Sequence, residues 1–275
     1  MLTTAHAQIT DPPDGPCTET PTTLCLNNDR FKVEVDWSDA SGNSQTVSDF
    51  STSGQGRATP VSDGWTGMWF FDPDNVDLLI HVFAGCSFTD RYWVFAAGTT
   101  NVELTLTVTD TTNGTSKVYE NPQGTPFGPI EDTDAFNTCP IKAQARQFAG
   151  PESLNPPITE SHDGSSPCQE SSTTVCLHDG RFEVSVDTPG APSPAQKVAD
   201  GTAAFPFINP TFFNLMVNIV DGSSANGQYW VNYSMFDPSE FKLTVTDHVT
   251  GDTKVYDHKT SDPLMVQDQA AFTGD

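Results

Sequence analysis

The clearest pattern in the sequence is an alternation of apolar and polar residues over positions 102–109. Valine or leucine occupies every second position, with glutamate or threonine between them. A period of two predicts a β-strand with one buried face and one face in water. Turn residues at positions 110–114, including Gly114, precede a second short alternation around Val118. The stretch therefore predicts a β-hairpin.

The same element occurs again further along the chain. Tyr92 opens the motif Tyr-Trp-Val, and Tyr229 opens it again 137 residues later. Leu106 and Leu243 open the motif Leu-Thr-Val-Thr-Asp at the same offset. A fixed, long period indicates that one folding unit is present twice. We therefore predict two modules built from the same strands.

Other stretches predict further strands. Residues 30–37 alternate apolar and polar side chains and return in shorter form at 181–187, while residues 76–83 carry an apolar residue at every second position. No window shows the i, i+3, i+4, i+7 apolar stripe of a helix. The predicted fold is all-β, with two tandem immunoglobulin-like antiparallel β-sandwich modules and an N-terminal arm.

The module boundaries follow from the repeat. We assign residues 1–16 to the N-terminal arm, 17–136 to the first module, 137–167 to a linker and 168–275 to the second module. The linker contains five prolines and no clean alternation. We therefore expect it to space the two modules.

The six cysteines predict three disulfides. Two pairs share a spacing of seven intervening residues: Cys17 with Cys25, and Cys168 with Cys176. Closing each short loop contributes roughly 2–3 kcal/mol on the chain-entropy model. Cys86 and Cys139 have no counterparts in the second module, and we expect them to pair with each other. Zinc sites favour closely spaced Cys-x2–4-Cys pairs, which do not occur here, so the pattern indicates an oxidising compartment.

The composition limits the partners. The 275 residues include 36 Asp and Glu against 12 Lys and Arg, a formal net charge of −24. This charge repels nucleic-acid phosphates and anionic lipid surfaces, so neither is expected as a partner. The sequence also contains no apolar run of 18 residues that would span a membrane.

The N-terminal arm is a candidate assembly element. Its strand-compatible residues have no module of their own in which to pack: Leu2, Thr4, Ala5, Ala7 and Ile9. An open sheet edge on a neighbouring subunit could accept this arm as an added strand, or the arm packs on its own first module. The triplet Ala-His-Ala at positions 5–7 resembles the end of a signal peptide, but no apolar segment precedes it, so a leader remnant and a mature arm both fit.

Trp65 and Trp69 are the candidates for contact with a glycan. Neither has an aromatic counterpart in the second module, so the repeated core does not require them. The alternative is that the aromatic residues of this stretch fill the core. Asn113 and Asn232 begin glycosylation sequons, which matter only if the source glycosylates asparagine.

Metal and catalytic sites are not expected. Asp72, Asp74 and Asp77 lie around Asn75 as in a calcium loop, but an inter-strand turn explains the same residues. Six histidines are scattered and none repeats: His6, His81, His162, His178, His248 and His258. No motif of a hydrolase or metalloenzyme appears, so we expect no enzyme and no cofactor. Only His81 or His178 beside a carboxylate and a hydroxyl would point to one.

A resemblance adds to this interpretation. The motifs RFxVxVxW, WFFDPxNV, YWVFAAG, LTVTDTxxG and YxNPxG resemble a repeat domain of secreted bacterial proteins of unassigned function. The first module matches along nearly its whole length, and the second matches at fewer points. The resemblance implies an extracellular β-domain and no catalytic residues.

The sequence therefore favours an extracellular structural protein. The preferred hypothesis is a subunit of a surface filament, assembled head to tail from copies of itself by β-strand addition. Lys117 and Lys254 recur in the hairpins as cross-link partners or as exposed edge lysines. The alternative is a carbohydrate-binding or adhesin module that uses surface aromatics, and an enzyme is third.

Overall fold

The computed structural model describes residues 17–20, 23–42, 44–46, 64–139, 168–207 and 212–274. The strands before residue 140 are β1 (Leu24–Leu26), β2 (Phe31–Ser38), β3 (Ser44–Thr46), β4 (Trp65–Met68), β5 (Leu78–Ala84), β6 (Tyr92–Gly98), β7 (Glu103–Asp110), β8 (Thr115–Asn121) and β9 (Ile130–Phe136). These strands form the first half of the molecule.

The second half begins at residue 168. Its strands are β10 (Thr174–Leu177), β11 (Phe182–Asp187), β12 (Gln196–Ala199), β13 (Thr202–Phe205), β14 (Leu215–Gly222), β15 (Gln228–Met235), β16 (Phe241–Asp247), β17 (Thr253–His258) and β18 (Met265–Thr273). Within the described ranges the helices are two single turns, a 3-10 turn at Gly85–Ser87 and an α-helical turn at Ser223–Asn226.

The strands form four sheets. Two outer sheets have the orders β1-β2-β7-β8, with β3 beside β2, and β10-β11-β16-β17. Two inner sheets have the orders β4-β5-β6-β9 and β12-β13-β14-β15-β18. Every strand pair is antiparallel. The prediction of an all-β fold is therefore confirmed.

Each half buries a core between its outer and inner sheets. In β2, Phe31, Val33 and Val35 are buried, while Lys32 and Glu34 are only partly covered. The buried side chains pack in one cluster with the apolar face of β5 and β6. The second half repeats this arrangement in a cluster that joins β11 and β16 to β14 and β15. The alternation in the sequence thus marks the sheet faces that meet in each core.

One repeated contact explains why the Arg-Phe and Thr-Asp motifs recur. Arg30 donates hydrogen bonds to both carboxylate oxygens of Asp110, at 3.2 and 2.8 Å, and its guanidinium carbon lies 4.3 Å from the centre of the Tyr92 ring. Burial raises the pKa of Asp110, but hydrogen bonds from Arg30 and Thr112 outweigh this effect, so the net pKa is lowered.

The second half contains the same contact. Arg181 bonds both carboxylate oxygens of Asp247 at 3.1 and 3.0 Å and lies 4.3 Å from the Tyr229 ring. Phe31 pairs across the strands with Asp110, and Phe182 pairs in the same way with Asp247. The two motifs therefore face each other in adjacent outer strands.

Three disulfides brace the fold. They join Cys17 to Cys25, Cys86 to Cys139, and Cys168 to Cys176. No cysteine is free, so none is available as a thiolate ligand for zinc. The second disulfide ties the 3-10 turn after β5 to the segment after β9. Residues 137–139, which the sequence places in the linker, therefore belong to the fold of the first half.

The two halves are in contact rather than held apart. A third apolar cluster joins the outward faces of the two inner sheets, with Val76, Leu79 and Phe95 from one half and Met216 and Phe236 from the other. An inner sheet is thus covered on one face by its own sandwich core and on the other by the second half. Contact of this kind removes apolar surface from water and makes the halves one unit.

Buried hydrogen bonds reinforce this interface. Asn218 donates to the carbonyl oxygen of Val76 at 2.6 Å and lies 2.9 Å from the hydroxyl of Thr99. The Val76 N–H donates to the Thr202 hydroxyl at 2.9 Å. The N–H of Gly201 donates to the carbonyl of Asp74 at 2.7 Å. These directional bonds fix how the two inner sheets are placed against each other.

Candidate functional site

An open cleft of about 320 Å³ lies where the two inner sheets meet. The first half contributes three aromatic residues to its wall, and the second half contributes two: Phe83, Trp93 and Phe95, then Phe212 and Phe236. Three polar residues complete the lining: Glu131, Asn214 and Asp237. The cleft therefore exists only because the halves are packed together.

The strand register places the rings of the first half on one wall. Phe83 on β5 pairs with Trp93 on β6, and Phe95 lies two residues further along β6. Because strand side chains alternate, all three point away from the core of the first half. A Cβ atom on Gly85 would overlap the indole of Trp93, so glycine there lets the ring lie against the backbone. The Trp93 indole N–H also donates to the Thr89 hydroxyl at 2.8 Å.

The rings are oriented in several directions. Phe83 and Trp93 stack with centroids 5.3 Å apart, whereas Phe95 and Phe212 meet at 5.0 Å with an interplanar angle of 81°. Phe236 lies 5.6 Å from Phe212. Such mixed stacked and edge-to-face contacts are the favourable geometries of aromatic clusters. The wall is therefore a cupped surface and not a flat platform.

The polar part of the cleft is acidic. Glu131 is exposed on β9, and Asp237 follows β15 on the facing half. Burial and the charge of Asp237 together raise the pKa of Glu131. The amide of Asn214 is largely committed, because its oxygen accepts from the Phe207 N–H at 2.8 Å and its nitrogen lies 3.4 Å from Asp237.

Two further aromatic residues lie next to the cleft. Phe88 is 72% exposed, and its ring centre lies 6.1 Å from that of Trp93, so it extends the aromatic surface outward. His81 is buried 5.3 Å from the ring of Phe212. Burial lowers the pKa of His81 to about 3, so this imidazole is neutral near pH 7. An apolar group or an organic cation is the kind of ligand that such a wall contacts well.

Trp69, one of the two residues predicted to contact glycans, is not among the residues that line this cleft. The side chain of the other, Trp65, lies outside the described part of the structure. Trp65 lies on β4 beside His81 in register, and Trp69 follows that strand and is half-buried. The cleft is lined instead by Trp93, the tryptophan of the repeated Tyr-Trp-Val motif. The tryptophan pair that recurs between the halves is thus partly exposed in both.

The segment Asp72–Asp77, which resembles a calcium loop in sequence, forms a turn at the interface between the two halves. The N–H of Asp74 donates to the Asp72 carboxylate at 3.0 Å, as in an Asx-turn. The Asp77 carboxylate accepts from the Phe70 N–H at 2.7 Å, and Asn75 is buried. The turn therefore uses two of its three carboxylates for local backbone bonds and presents its backbone to the second half.

The described histidines have packing roles. His178 occupies the turn after β10, and its Nε2 lies 2.7 Å from the carbonyl of Ile219. In the first half the side-chain amide of Asn27 donates to the equivalent carbonyl of Val82 at 2.8 Å. His178 and Asn27 therefore make the same contact in the two halves. His258 stacks on Phe241 with centroids 4.8 Å apart, and burial lowers its pKa.

One group of metal-binding side chain types occurs within the described residues. Cys168, Glu183 and His248 present ligand atoms within 4.8 Å of one another. The sulfur of Cys168 is bonded to that of Cys176, so it is not a thiolate. What remains is a contact of 3.1 Å between His248 and Glu183, which an ion pair or hydrogen bond explains.

The predicted modification and assembly residues fall in different environments. Asn113 lies in the exposed turn between β7 and β8, where a glycan has room. Asn232 lies on β15 and is 5% exposed, so a glycan on it is incompatible with this fold. Lys117 is paired with Asp132 at 3.4 Å. The arm residues Leu2, Thr4, Ala5, Ala7 and Ile9, with His6 and His162, lie outside the described residues.

The sequence carries a signal for the cleft in two of its inner strands. Residues 78–84 and 92–98 are mostly apolar at successive positions, which is the pattern of a strand covered on both faces. The alternation over residues 76–83 predicts only one buried face, so it does not identify Phe83 or Phe95 as cleft residues. Glu131 and Asp237 carry no comparable signal, because they meet only through the packing of the two halves.

Comparisons with family models, curated proteins and solved structures found no match to this chain. Within the described ranges, no helix has the length and hydrophobicity needed to cross a membrane. A function is therefore inferred from the chemistry of the cleft and of the sheet edges.

Proposed function

We propose that this chain is an extracellular adhesive protein that binds a small ligand, or an exposed group of a larger partner, in the cleft between its two halves. The observation that carries this proposal is the set of five aromatic residues, drawn from both halves, around one open cleft. Phe95 and Phe236 are buried at the base of this cleft, whereas Phe83, Trp93 and Phe212 are partly exposed. Aromatic side chains that stay partly in water beside an open cleft are typical of a binding site. A cleft with a few polar groups at its rim is the usual form of a ligand site.

The two halves are proposed to be tandem copies of one immunoglobulin-like module. The outer sheets repeat one strand order, and the Arg-Asp-Tyr contact recurs with the same partners. The inner sheets repeat the pairing of their central strands at the same offset of 137, from Leu79 with Ala97 to Met216 with Ser234. Duplication of a module, followed by packing of the copies, accounts for a cleft at their junction.

Secretion is supported by the sulfur chemistry. Three disulfides and the lack of a free cysteine suit an oxidising compartment. The net charge of −24 keeps such a protein soluble outside the cell. Recovery of the native protein from the cell-surface or culture fraction, with its thiols blocked, would test this part.

The binding role is tested by the intrinsic fluorescence of the full chain. Ligands from a panel of glycans and small organic molecules should change the emission of Trp93, and Phe83→Ala should weaken that response about ten-fold or more. Trp69→Ala is the control outside the cleft and should retain the response. A response that survives Phe83→Ala but is lost in Trp69→Ala would reject the cleft and restore the earlier glycan candidate.

Assembly into a filament is a second candidate, supported by the open sheet edges. Among the strands that the structure describes, β8 and β17 end the two outer sheets, and at their centres Val118 and Val255 are each 56% exposed. An exposed, partly apolar edge strand is a template for an added strand. We propose that a donor strand from another copy pairs with one of these edges.

Deletion of residues 1–12 tests the strand-donation version. Negative-stain electron microscopy should show filaments for the full chain and only single particles for the truncated chain. Filaments that persist after the deletion would show that the arm is not the donor. Particles that never polymerise in either form would remove the filament candidate and leave the adhesive role untouched.

A further inference from the structure

Building on the proposed binding role of the cleft, we propose that its ligand is a small organic ammonium ion. The alkylated nitrogen would lie among the aromatic rings and beside the carboxylates of Glu131 and Asp237. The inference rests on the orientation of the rings, the charge of the rim and the kind of hydrogen-bonding groups that the lining offers.

The orientation of the rings suits a rounded ligand. Trp93 and Phe95 meet at 76°, and Phe83 and Phe212 meet at 89°. Perpendicular rings present faces and edges to one space from different sides. A flat sugar ring stacks best on a platform, whereas an alkylated ammonium group is contacted equally well from several directions, as in aromatic cages.

The charge of the rim selects a cation. Glu131 lies on the first half and Asp237 on the second, so the cleft brings two negative charges together. Among the residues that the structure describes, no lysine, arginine or histidine forms an ion pair with either carboxylate. A bound cation would relieve the repulsion between them and form an attraction with both.

The hydrogen-bonding groups disfavour a neutral polyol. Ionised carboxylates only accept hydrogen bonds, and both groups of the Asn214 amide already have neighbours in the protein. The lining side chains therefore offer few free donors to sugar hydroxyl oxygens. A quaternary or alkylated ammonium ion needs no donors, because its methyl groups contact the rings and its charge faces the carboxylates.

The experiment is a calorimetric titration of the full chain with choline as the probe. Three further ligands are compared: an alkylammonium ion without the hydroxyl, the neutral isostere in which carbon replaces the choline nitrogen, and a glucan oligosaccharide. We expect both cations to bind and the neutral isostere to bind about ten-fold or more weakly. Glu131→Gln should weaken the binding of choline about ten-fold and leave the affinity for the neutral isostere unchanged.

Matched variants separate binding from folding. Trp93→Ala should abolish choline binding. Trp230→Ala is the matched control and should retain it, because the equivalent tryptophan of the second half packs on Gly222 and does not line the cleft. Glu120→Gln removes an exposed carboxylate of β8 and should have no effect. Circular dichroism of each variant checks that the β-fold is intact.

The outcomes distinguish this inference from the binding role on which it rests. Equal binding of choline and its neutral isostere, or unchanged binding in Glu131→Gln, would overturn the cation inference and leave an apolar binding cleft. Oligosaccharide binding that Trp93→Ala abolishes would replace the cation with a glycan. If none of the four ligands binds, the ammonium inference is wrong. The fluorescence screen with glycans and small organic molecules then tests whether the cleft binds any ligand.

Discussion

The inner sheets of the two halves share a strand register and differ in chemistry. The equivalent cross-strand pairs are His81–Phe95 and Phe83–Trp93 in the first half, and Asn218–Asn232 and Val220–Trp230 in the second. An aromatic surface thus packs against a more polar one. The outer sheets, in contrast, keep the same alternation and the same buried ion pair in both halves.

This difference shows which positions vary between two halves that share a strand register. The register fixes the direction in which each side chain points, and it is the same in the central inner strands of both halves. Core positions fit their own sandwich and remain largely hydrophobic, although their size can change, as between Ala96 and Tyr233. Positions on the outward face of the inner sheet meet the other half, and the cleft between these two faces is lined by four residues from each half.

The largest expected effect concerns a bond that only the first half has. The double variant Cys86→Ser, Cys139→Ser should lose about 4 kcal/mol of unfolding free energy, because the disulfide closes a loop with a separation of 53 residues. The variant Cys17→Ser, Cys25→Ser should lose only about 2–3 kcal/mol. Urea unfolding under non-reducing conditions measures both. A larger loss in the second variant would contradict the chain-entropy argument.

The next effect concerns His81, which occupies the place of Asn218. Burial lowers the pKa of His81 to about 3, below its value in the unfolded chain of about 6.5. The unfolded chain therefore takes up a proton that the folded protein does not, and stability present above pH 6.5 is lost as the pH falls from there toward 3. The loss is up to about 1.4 kcal/mol per pH unit. His81→Asn should reduce this loss between pH 6.5 and 4.5 in urea titrations.

Asp77 supplies a control of opposite sign. Burial raises its pKa to about 7, although the backbone N–H groups of Phe70 and Phe71 oppose the shift. The folded protein then holds a proton that the unfolded chain releases, so this contribution to stability is full below about pH 4 and is lost as the pH rises toward 7. Asp77→Asn should therefore steepen the acid loss that His81→Asn reduces. Parallel pH profiles for the two variants would contradict both assignments.

A smaller effect is expected where the backbones of the halves touch. A Cβ atom on Gly201 would lie 2.8 Å from the carbonyl oxygen of Asp74 and 2.5 Å from the Asn75 side chain. Gly201→Ala should therefore cost about 1–3 kcal/mol, as overpacking does. Gly190→Ala is the matched control, since no atom lies within 4 Å of its Cβ position. Equal melting temperatures for the two variants would show that the halves are not in close contact at this point.

The smallest effect concerns the polar residues on the outward face of the inner sheet in the second half. The side-chain oxygen of Asn232 is buried and has no hydrogen-bond partner among the described residues. Asn232→Leu should raise the unfolding free energy by about 1 kcal/mol, because it removes a polar atom without a partner. Asn218→Leu should lower it, since Val76 would lose its bond. A loss of stability in both variants would mean that the polar face is needed as a whole.

Much of the fold could be predicted from local patterns. Alternation of side chains marks β2 and β7 because each strand has one face in a core and one in water. Spacing predicted the pairs Cys17–Cys25 and Cys168–Cys176, because the same short loop occurs twice, and Cys86 and Cys139 were the pair that remained. The inner strands were harder, since a strand covered on both faces loses the alternation that identifies its two faces.

The sequence by itself determined that this protein is all-β, acidic and braced by three disulfides, because these properties follow from short-range periodicity, from composition and from spacing. Only the tertiary structure decided that the two halves pack face to face and that Glu131 and Asp237 meet beside Phe83, Trp93 and Phe95. Asp237 lies 154 positions after Phe83 and 106 positions after Glu131, and no local pattern records contacts between two outward-facing surfaces. The cleft is thus a property of how the two halves pack together.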